Sequence, residues 1–344
     1  MGAAAGDADR PLDAGEAEAL FAPLSGETQL LAAVSGGPDS IALLAMLHAW
    51  AQQTGRPVLY VATVDHRLRS ESAKEAAGVG SLCAGLGLPH RVLVWHDGDK
   101  ASALQAQARA ARYALLAAYA QELGGAALVT AHTLDDQAET LLMRLARGSG
   151  PAGLAGMRPR SLVGGTVLYR PLLKVPKARL VATARAAGLP IVLDPSNGDR
   201  RFERVRWRDR LPPLAEAGLD AQRLGAFARR MARVDEAIEH RVAVVAQDRL
   251  VRRNNEASLP FAALLEEEPL EVVLRLVSRM IDTGSGPERL ERLEACVSAL
   301  AVAARTGRSL RRTLGGRILS LDRRGVLTAR PEPVRRRGIH PAAP

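Results

Sequence analysis

The chain has 344 residues, 47% apolar and 24% charged, a soluble globular composition long enough for two domains with a core in each. Two cysteines, Cys83 and Cys296, exclude a disulfide framework and a zinc or iron–sulfur ligand set, and suit a reducing cytosol. The net charge of +10 is unevenly placed: residues 1–200 hold 19 Lys+Arg against 18 Asp+Glu, and residues 201–344 hold 28 against 19, which points to a polyanionic partner such as nucleic acid.

Residues 1–24 carry acids and no basic start followed by an apolar core, so no signal peptide is expected, only a flexible segment. Short apolar runs at 28–34, 57–65, 90–95 and 126–132 read as buried strands, with helical patterns at 39–52, 71–87 and 103–124 between them. That alternation predicts an α/β fold with a doubly wound parallel sheet, whose ligands bind at the carboxyl ends of the strands. Residues 162–173 read as a hairpin or extended connection and 176–188 as a helix. The Pro pair in "RLPPLAEAG" (210–218) predicts a helix stop and a domain boundary near 215. Beyond it, 220–250 and 266–305 are helical in pattern, 315–330 reads as a short β-hairpin, and the basic tail 331–344 is expected to be disordered. The second domain, 216–330, is therefore expected to be mainly helical. No uncharged apolar run reaches membrane-spanning length, so a cytoplasmic protein without a membrane partner is expected.

After the first strand comes "VSGGPDS". Gly36 and Gly37 allow a sharp turn and close approach to a ligand. Pro38 suits the first helical position, and the helix starting there aims free N–H groups at the loop. Ser35 and Ser40 add hydroxyls. These features favour phosphate, and Asp39 does not unless a cation intervenes. The natural cation is Mg²⁺, held by a carboxylate and substrate phosphates. Asp39 is thus the candidate Mg²⁺ ligand, and Ser35, Gly36, Gly37, Pro38, Asp39 and Ser40 are the candidate ATP loop. The competing reading is an acid that merely favours a helix dipole.

A second signal is "AHTLDDQAETLLMRLARGSG" (131–150). On a helix, His132, Asp135, Asp136 and Glu139 share one face, with Thr133 as N-cap and Leu134, Ala138, Leu141 and Leu145 facing the core. Such a cluster suits a cationic substrate, a second Mg²⁺, or both.

The loop resembles the SGGxDS signature of the PP-loop (N-type) ATP pyrophosphatases, of the adenine nucleotide alpha hydrolase-like fold, which split ATP into AMP and pyrophosphate. Over about 30–210, "SGGPDS", "VDHRLR" (64–69), "QAQARAARY" (105–113), "AHTLDDQAETLLMRLARGSGPAGLAGM" (131–157), "RPLL" (170–173) and "DPSN" (194–197), with Arg204 and Arg208, are similar to the tRNA(Ile)-lysidine synthetases. The family's usual Arg-Asn is here Arg204-Val205.

The resemblance implies an ATP-dependent ligase that joins free L-lysine to C2 of the wobble cytidine of tRNA(Ile) with a CAU anticodon, through an adenylated intermediate. It implies a PP-loop catalytic domain over 25–215 and a tRNA-binding domain over 216–330. Arg112 and His132 would act at the adenylation centre. Asp65 and His66 would contact adenosine, and Asp136 and Glu139 would hold the lysine substrate. Arg147, Arg204 and Arg208 would contact RNA or the active-site loop. A thiolase, an amidating synthetase and a non-catalytic nucleotide-binding module share the signature and stay open as alternatives, as do a monomer and a homodimer.

Overall fold

The strand nearest the middle of the main sheet is β1 (Gln29–Ala33), and its side chains alternate between two apolar layers. In the computed structural model, which describes residues 10–54, 57–67, 72–95, 104–189, 200–201, 203–281 and 290–333, the chain divides into two compact units. One comprises 1–148 and 153–230, the other 149–152 and 231–344.

The first unit opens with α1 (Ala14–Phe21), started by an Asp13–Glu16 capping box, and a 3₁₀ turn over Ala22–Leu24. This corrects the expectation of a flexible segment to residue 24. Phe21 and Leu24 are fully buried, and Phe21 packs 5.7 Å from the Trp50 ring. Residues 1–9 lie outside the described residues. The chain then alternates through α2 (Pro38–Thr54), β2 (Val58–Asp65), α3 (Ser72–Gly85), β3 (His90–Val94), α4 (Leu104–Glu122), β4 (Ala127–Val129), α5 (Leu134–Leu145) and a short α6 (Pro151–Leu154). A hairpin of β5 (Arg160–Val163) and β6 (Thr166–Tyr169) follows, then α7 (Lys177–Ala186) and α8 (Glu203–Glu216).

The sheet order is β3-β2-β1-β4-β6-β5, parallel except for the β5 edge. Leu30 and Ala32 of β1 pack with α1, α2, α3 and α7 on one face, whereas Leu31 packs with Leu116 and Ala120 of α4 on the other. The expected doubly wound sheet is therefore present. The strand order reverses between β1 and β4, so their carboxyl ends open the crevice where such folds bind ligands.

The paired prolines do not end a helix: Pro212 and Pro213 lie inside α8. Nor do the compact units part at 215. Leu224 and Ala228, early in α9 (Ala221–Arg249), pack with Ala138, Leu141 and Leu142 of α5.

The second unit is mainly helical, as expected, and adds strands beyond the expected hairpin. After α9 come β7 (Val251–Arg253), β8 (Glu256–Leu259), α10 (Phe261–Glu267), α11 (Leu270–Ile281), α12 (Leu290–Arg305), β9 (Leu310–Leu314), β10 (Arg317–Leu321) and β11 (Leu327–Pro331). The expected hairpin is part of a five-stranded sheet, β7-β8-β11-β10-β9, antiparallel at each described pairing. It shares a core with α10, α11 and α12. Its edge strands carry Arg252 and Arg253 at one side and Arg311 and Arg312 at the other, charges that discourage edge-to-edge pairing. Residues 334–344, and with them Arg335–Arg337 of the basic tail, lie outside the described residues. Among the described residues no helix is long and apolar enough to cross a membrane.

Because Phe21 is fully buried against Trp50, Phe21→Ala is expected to destabilise the first unit by about 3–5 kcal/mol. Urea denaturation followed by tryptophan fluorescence measures this, and a change within ~0.5 kcal/mol would show that α1 is peripheral.

Candidate active site

The carboxyl end of β1 leads into the 34–37 loop. Gly36 takes φ +85, a left-handed conformation that favours glycine. The Ser40 hydroxyl donates to the Gly37 carbonyl at 2.9 Å and accepts from the Ser35 N–H at 3.2 Å, cross-bracing the turn. Pro38 is the first residue of α2, where its missing N–H costs nothing. The loop and helix thus have the form of an anion cradle, with the N-terminal turn of α2 facing the glycine turn.

Asp39 stands in the first turn of α2. Its Oδ2 pairs with Lys177 Nζ at 3.1 Å, and its buried Oδ1 has no hydrogen-bond partner. Burial raises its carboxyl above the usual range; Lys177 opposes this, and the charges of Asp136 and Asp135 add to it. The unpartnered Oδ1 fits a divalent cation. Among the described residues no three His, Cys, Asp or Glu side chains group to hold a metal, so a cation here would complete its shell with phosphate oxygens and water.

At the end of β4, Thr133 caps α5 in a box with Asp136: the Thr133 N–H donates to Oδ2 at 2.8 Å, and the Asp136 N–H donates to Thr133 Oγ1 at 3.2 Å. His132 precedes the helix instead of lying on it, and its Nδ1 meets Thr130 Oγ1 at 2.9 Å. Leu145 is exposed, whereas Leu134, Ala138 and Leu141 are buried as expected, together with Leu142. Asp135 Oδ2 accepts the Lys177 N–H at 2.8 Å, tying α5 to the start of α7.

Asp136 and Glu139 do converge, with the basic residues of α8 between them. Arg204 spans Asp136 Oδ1 (2.8 Å) and Glu139 Oε2 (2.5 Å), and Arg208 reaches Glu139 Oε1 (2.8 Å). Glu139 is 1% exposed. Burial alone would raise the Asp136 carboxyl, but Arg204, His132 and the Thr133 bonds outweigh it and lower it. Arg204 and Arg208 therefore face the acid cluster, and Arg147 pairs with Glu203. Val205, in place of the family's asparagine, is buried in α8.

From α4, Arg112 donates to His66 Nε2 at 3.3 Å. Since Arg only donates, His66 accepts at Nε2 and carries its proton on Nδ1, which is buried without a partner. Burial, then the Arg112 charge, lowers His66 to about 4, against a weaker opposing effect of Asp65. Burial likewise lowers His132 to about 3; Asp136 opposes this, and Arg170, Arg109 and Arg204 reinforce it. Both histidines are neutral at pH 7. Asp65 is committed to its own loop, accepting from the Arg67 N–H (2.8 Å) and Ser72 Oγ (2.7 Å).

Sequence reasoning missed Lys177, Asp135 as its anchor, and Arg109, Arg144 and Arg170. A signal for Lys177 was present: a cation at the first position of a helix opposes the dipole. The "DPSN" stretch lies outside the described residues. A cavity of about 350 Å³ lined by Leu134, Lys174, Pro176, Gln222 and Arg229 opens beside α7.

Against known proteins, residues 12–215 match the family model described as a PP-loop domain. A tRNA(Ile)-lysidine synthase of Methylobacterium sp. (strain 4-46) is 47% identical over 341 residues, covering 96% of this chain and 98% of the relative. The chain belongs to the tRNA(Ile)-lysidine synthase family. A second tRNA(Ile)-lysidine synthase, of Bradyrhizobium sp. (strain BTAi1), is 42% identical over 95% of this chain and 97% of its own. Among solved structures, a U34-tRNA thiolase from Methanococcus maripaludis with a [4Fe-4S] cluster aligns with TM-score 0.54 at 17% identity, over 64% of this chain and 78% of that one. That likeness bears on the fold alone.

The charges of this lysidine synthase family member set the stability of its site. The Arg204→Ala/Arg208→Ala double variant leaves the buried Glu139 carboxylate uncompensated and is expected to cost about 3–5 kcal/mol. Glu139→Gln leaves two arginines that reach solvent and is expected to cost less; urea denaturation giving the reverse order would refute this.

The buried histidines make stability depend on pH. Unfolded, they bind protons below about pH 6.5; folded, they do not until near 4 and 3. The unfolded state therefore binds more protons in that window, and stability falls as pH drops below about 6.5. His132→Asn is expected to remove up to about 1.4 kcal/mol per pH unit of that slope between roughly pH 5 and 6. An unchanged slope in denaturation at several pH values would mean that His132 titrates normally.

Proposed function

We propose that this chain ligates free lysine to C2 of the wobble cytidine of tRNA(Ile) with a CAU anticodon, adenylating the base with ATP and releasing pyrophosphate and then AMP. The observation that carries the reading is the unpartnered, buried Asp39 Oδ1 inside a loop otherwise built for an anion. Family membership supplies the acceptor: relatives matched over nearly their whole length bear the name tRNA(Ile)-lysidine synthase.

In this reading Ser35, Gly36, Gly37, Pro38 and Ser40 hold the pyrophosphate end of ATP with backbone N–H groups and hydroxyls. Mg²⁺, when bound at Asp39, would supply charge neutralisation between the carboxylate and the phosphates. Lys177 balances Asp39 when the nucleotide is absent and donates to phosphate when it is present. Neutral His66 orients Arg112 toward the α-phosphate, where fixed positive charge lowers the barrier as negative charge grows. The free Nδ1–H of His66 is a donor for the nucleoside, and Asp65 acts indirectly by shaping that loop. His132, kept neutral, lies beside the adenylation centre.

The acid cluster takes the lysine substrate. Asp39, Asp135, Asp136 and Glu139 face Lys177, Arg204 and Arg208, which leaves the group one positive charge short of balance. An incoming ammonium supplies that charge by sharing Asp136 and Glu139 with the arginines. The thiolase alternative lacks support: Cys83 and Cys296 are each buried in an apolar core, and burial pushes the Cys83 thiol up to about 11.

The test mixes protein, ATP, Mg²⁺, labelled lysine and an isoleucine tRNA transcript. Label is expected to enter RNA with stoichiometric AMP. Asp39→Asn is expected to reduce both at least about 10²-fold, the scale of removing one electrostatic interaction with the reacting phosphates. ADP as the product, or label entering RNA at the normal rate in the variant, would overturn the proposal.

A further inference from the structure

Beyond the acid cluster, four arginines lie within electrostatic reach of one another, Arg109 being common to the group. Arg109 and Arg112 come from α4. Arg144 comes from the last turn of α5, and Arg170 directly follows β6. Among the described residues none of the four is paired with a carboxylate. Arg144 Nη1 donates to the Gly153 and Gly156 carbonyls at 2.8 and 2.9 Å. Arg170 Nη1 donates to the Arg158 carbonyl and Ser161 Oγ, both at 2.9 Å, while its Nε is buried with no partner. Arg109 lies over the Tyr113 ring, 5.4 Å from its centroid. Burial lowers the Arg170 guanidinium against an opposing hydrogen bond and charge interaction with Tyr113, burial also lowers that of Arg144, and the charge of Arg109 adds to both.

Like charges held together without counter-ions cost stability. Such an arrangement is relieved when an anion brings the missing charge. An adjoining cavity of about 510 Å³ is lined by Arg109, Ala110, Tyr113, Ala114, Val163 and Gly164, of a size that accepts a small planar group.

The geometry points to a single-stranded RNA track along this edge, with backbone phosphates on Arg144 and Arg170 and a neighbouring base in the cavity beside Tyr113 and Arg109. The inference rests on the tRNA reading above and adds a binding site to it. ATP is the other source of phosphate, and two features favour RNA. The triphosphate already has a cradle at the end of β1. Arg144 lies eight residues beyond Asp136, about 12 Å down the α5 axis at 1.5 Å per residue, at the other end of that helix from His132 and Asp136. Stacking plus phosphate binding is how single strands are held without base-specific readout.

The test measures binding of an isoleucine tRNA transcript to the full chain across a salt series, and ATP binding in parallel. Arg144→Gln/Arg170→Gln is expected to weaken tRNA binding at least about tenfold at low salt. It should also flatten the salt slope by about 0.7 for each phosphate no longer neutralised. ATP affinity should stay within about threefold. Arg144→Lys/Arg170→Lys, which keeps the charge, should restore most of the slope.

Because Arg144 and Arg170 also hold backbone carbonyls, Arg109→Gln and Tyr113→Ala serve as second variants. Arg109→Gln should flatten the slope by a further fraction of a unit. Tyr113→Ala should lower affinity about tenfold with an unchanged slope, as removal of one stacked base does. Unchanged tRNA affinity and slope in all variants would overturn the proposal, as would ATP affinity falling as far as RNA affinity. Wild-type protein that transfers no lysine to RNA would instead refute the functional reading on which the site rests.

Discussion

A carboxylate stands in the first turn of a helix whose preceding loop has the form of an anion cradle, and the contacts around it follow from its burial and its charge. Asp39 is buried, close to Asp135 and Asp136, and short of one hydrogen-bond partner. Burial and like charge both favour its neutral form. Lys177 offsets part of that penalty, and it does so from a helix N-terminus, a position that disfavours a cation. Two locally unfavourable choices thus support each other, the pattern expected where function overrides stability. Asp135 completes the arrangement by accepting the Lys177 N–H, so the metal-ligand candidate, its counter-ion and the acid helix are one connected unit.

The site is polar in a second sense. Toward β1 it carries an excess of carboxylates, and toward β6 an excess of guanidinium groups. His132 lies within the electrostatic reach of both. A reaction that brings together an ammonium, a nucleoside triphosphate and an RNA strand needs such a division, because a single field attractive to all three is impossible. The arginines also serve chemistry indirectly. By helping to hold His66 and His132 neutral, they leave imidazoles that can accept or donate a hydrogen bond without adding charge to an already basic wall.

Much of the first unit was legible in the sequence because its signals are long and consistent. The strands are continuous apolar runs, buried on both faces, and the helices between them are regular. In the second unit the helices and the closing hairpin were legible, whereas β7, β8 and β9 were not, for a physical reason. Its strands are three to five residues long, and edge segments such as "VRR" and "LRRTL" spend their positions on exposed arginines, which erases the alternation that marks a half-buried strand. The Pro212-Pro213 pair misled for the converse reason: tertiary packing of α8 against α5 carries the helix through two residues that lack an N–H. At the site, residues next to each other in sequence were found and those brought in from elsewhere were not. Asp39 and the α5 acids sit in motifs, whereas Lys177 and Arg170 reach the same crevice only because α7 and β6 pack beside β1 and β4.

The same sheet serves, in the thiolase that shares this fold, a protein carrying an iron–sulfur cluster. Here Cys83 faces the apolar layer under β1, and burial keeps its thiol protonated, so it offers neither a nucleophile nor a metal ligand. In the lysine ligation proposed above the nucleophile is the substrate amine, which calls for a pocket able to recognise a small cation. In that reading the acid face of α5, paired with Arg204 and Arg208 of α8, is the candidate pocket. In the proposed reading the sheet fixes where ATP is opened, and the residues of α5 and α8 decide what attacks the activated base. The two are coupled: Asp135 anchors Lys177 and the charge of Asp136 acts on Asp39, so a change in the acid face of α5 would also be felt at the ATP loop.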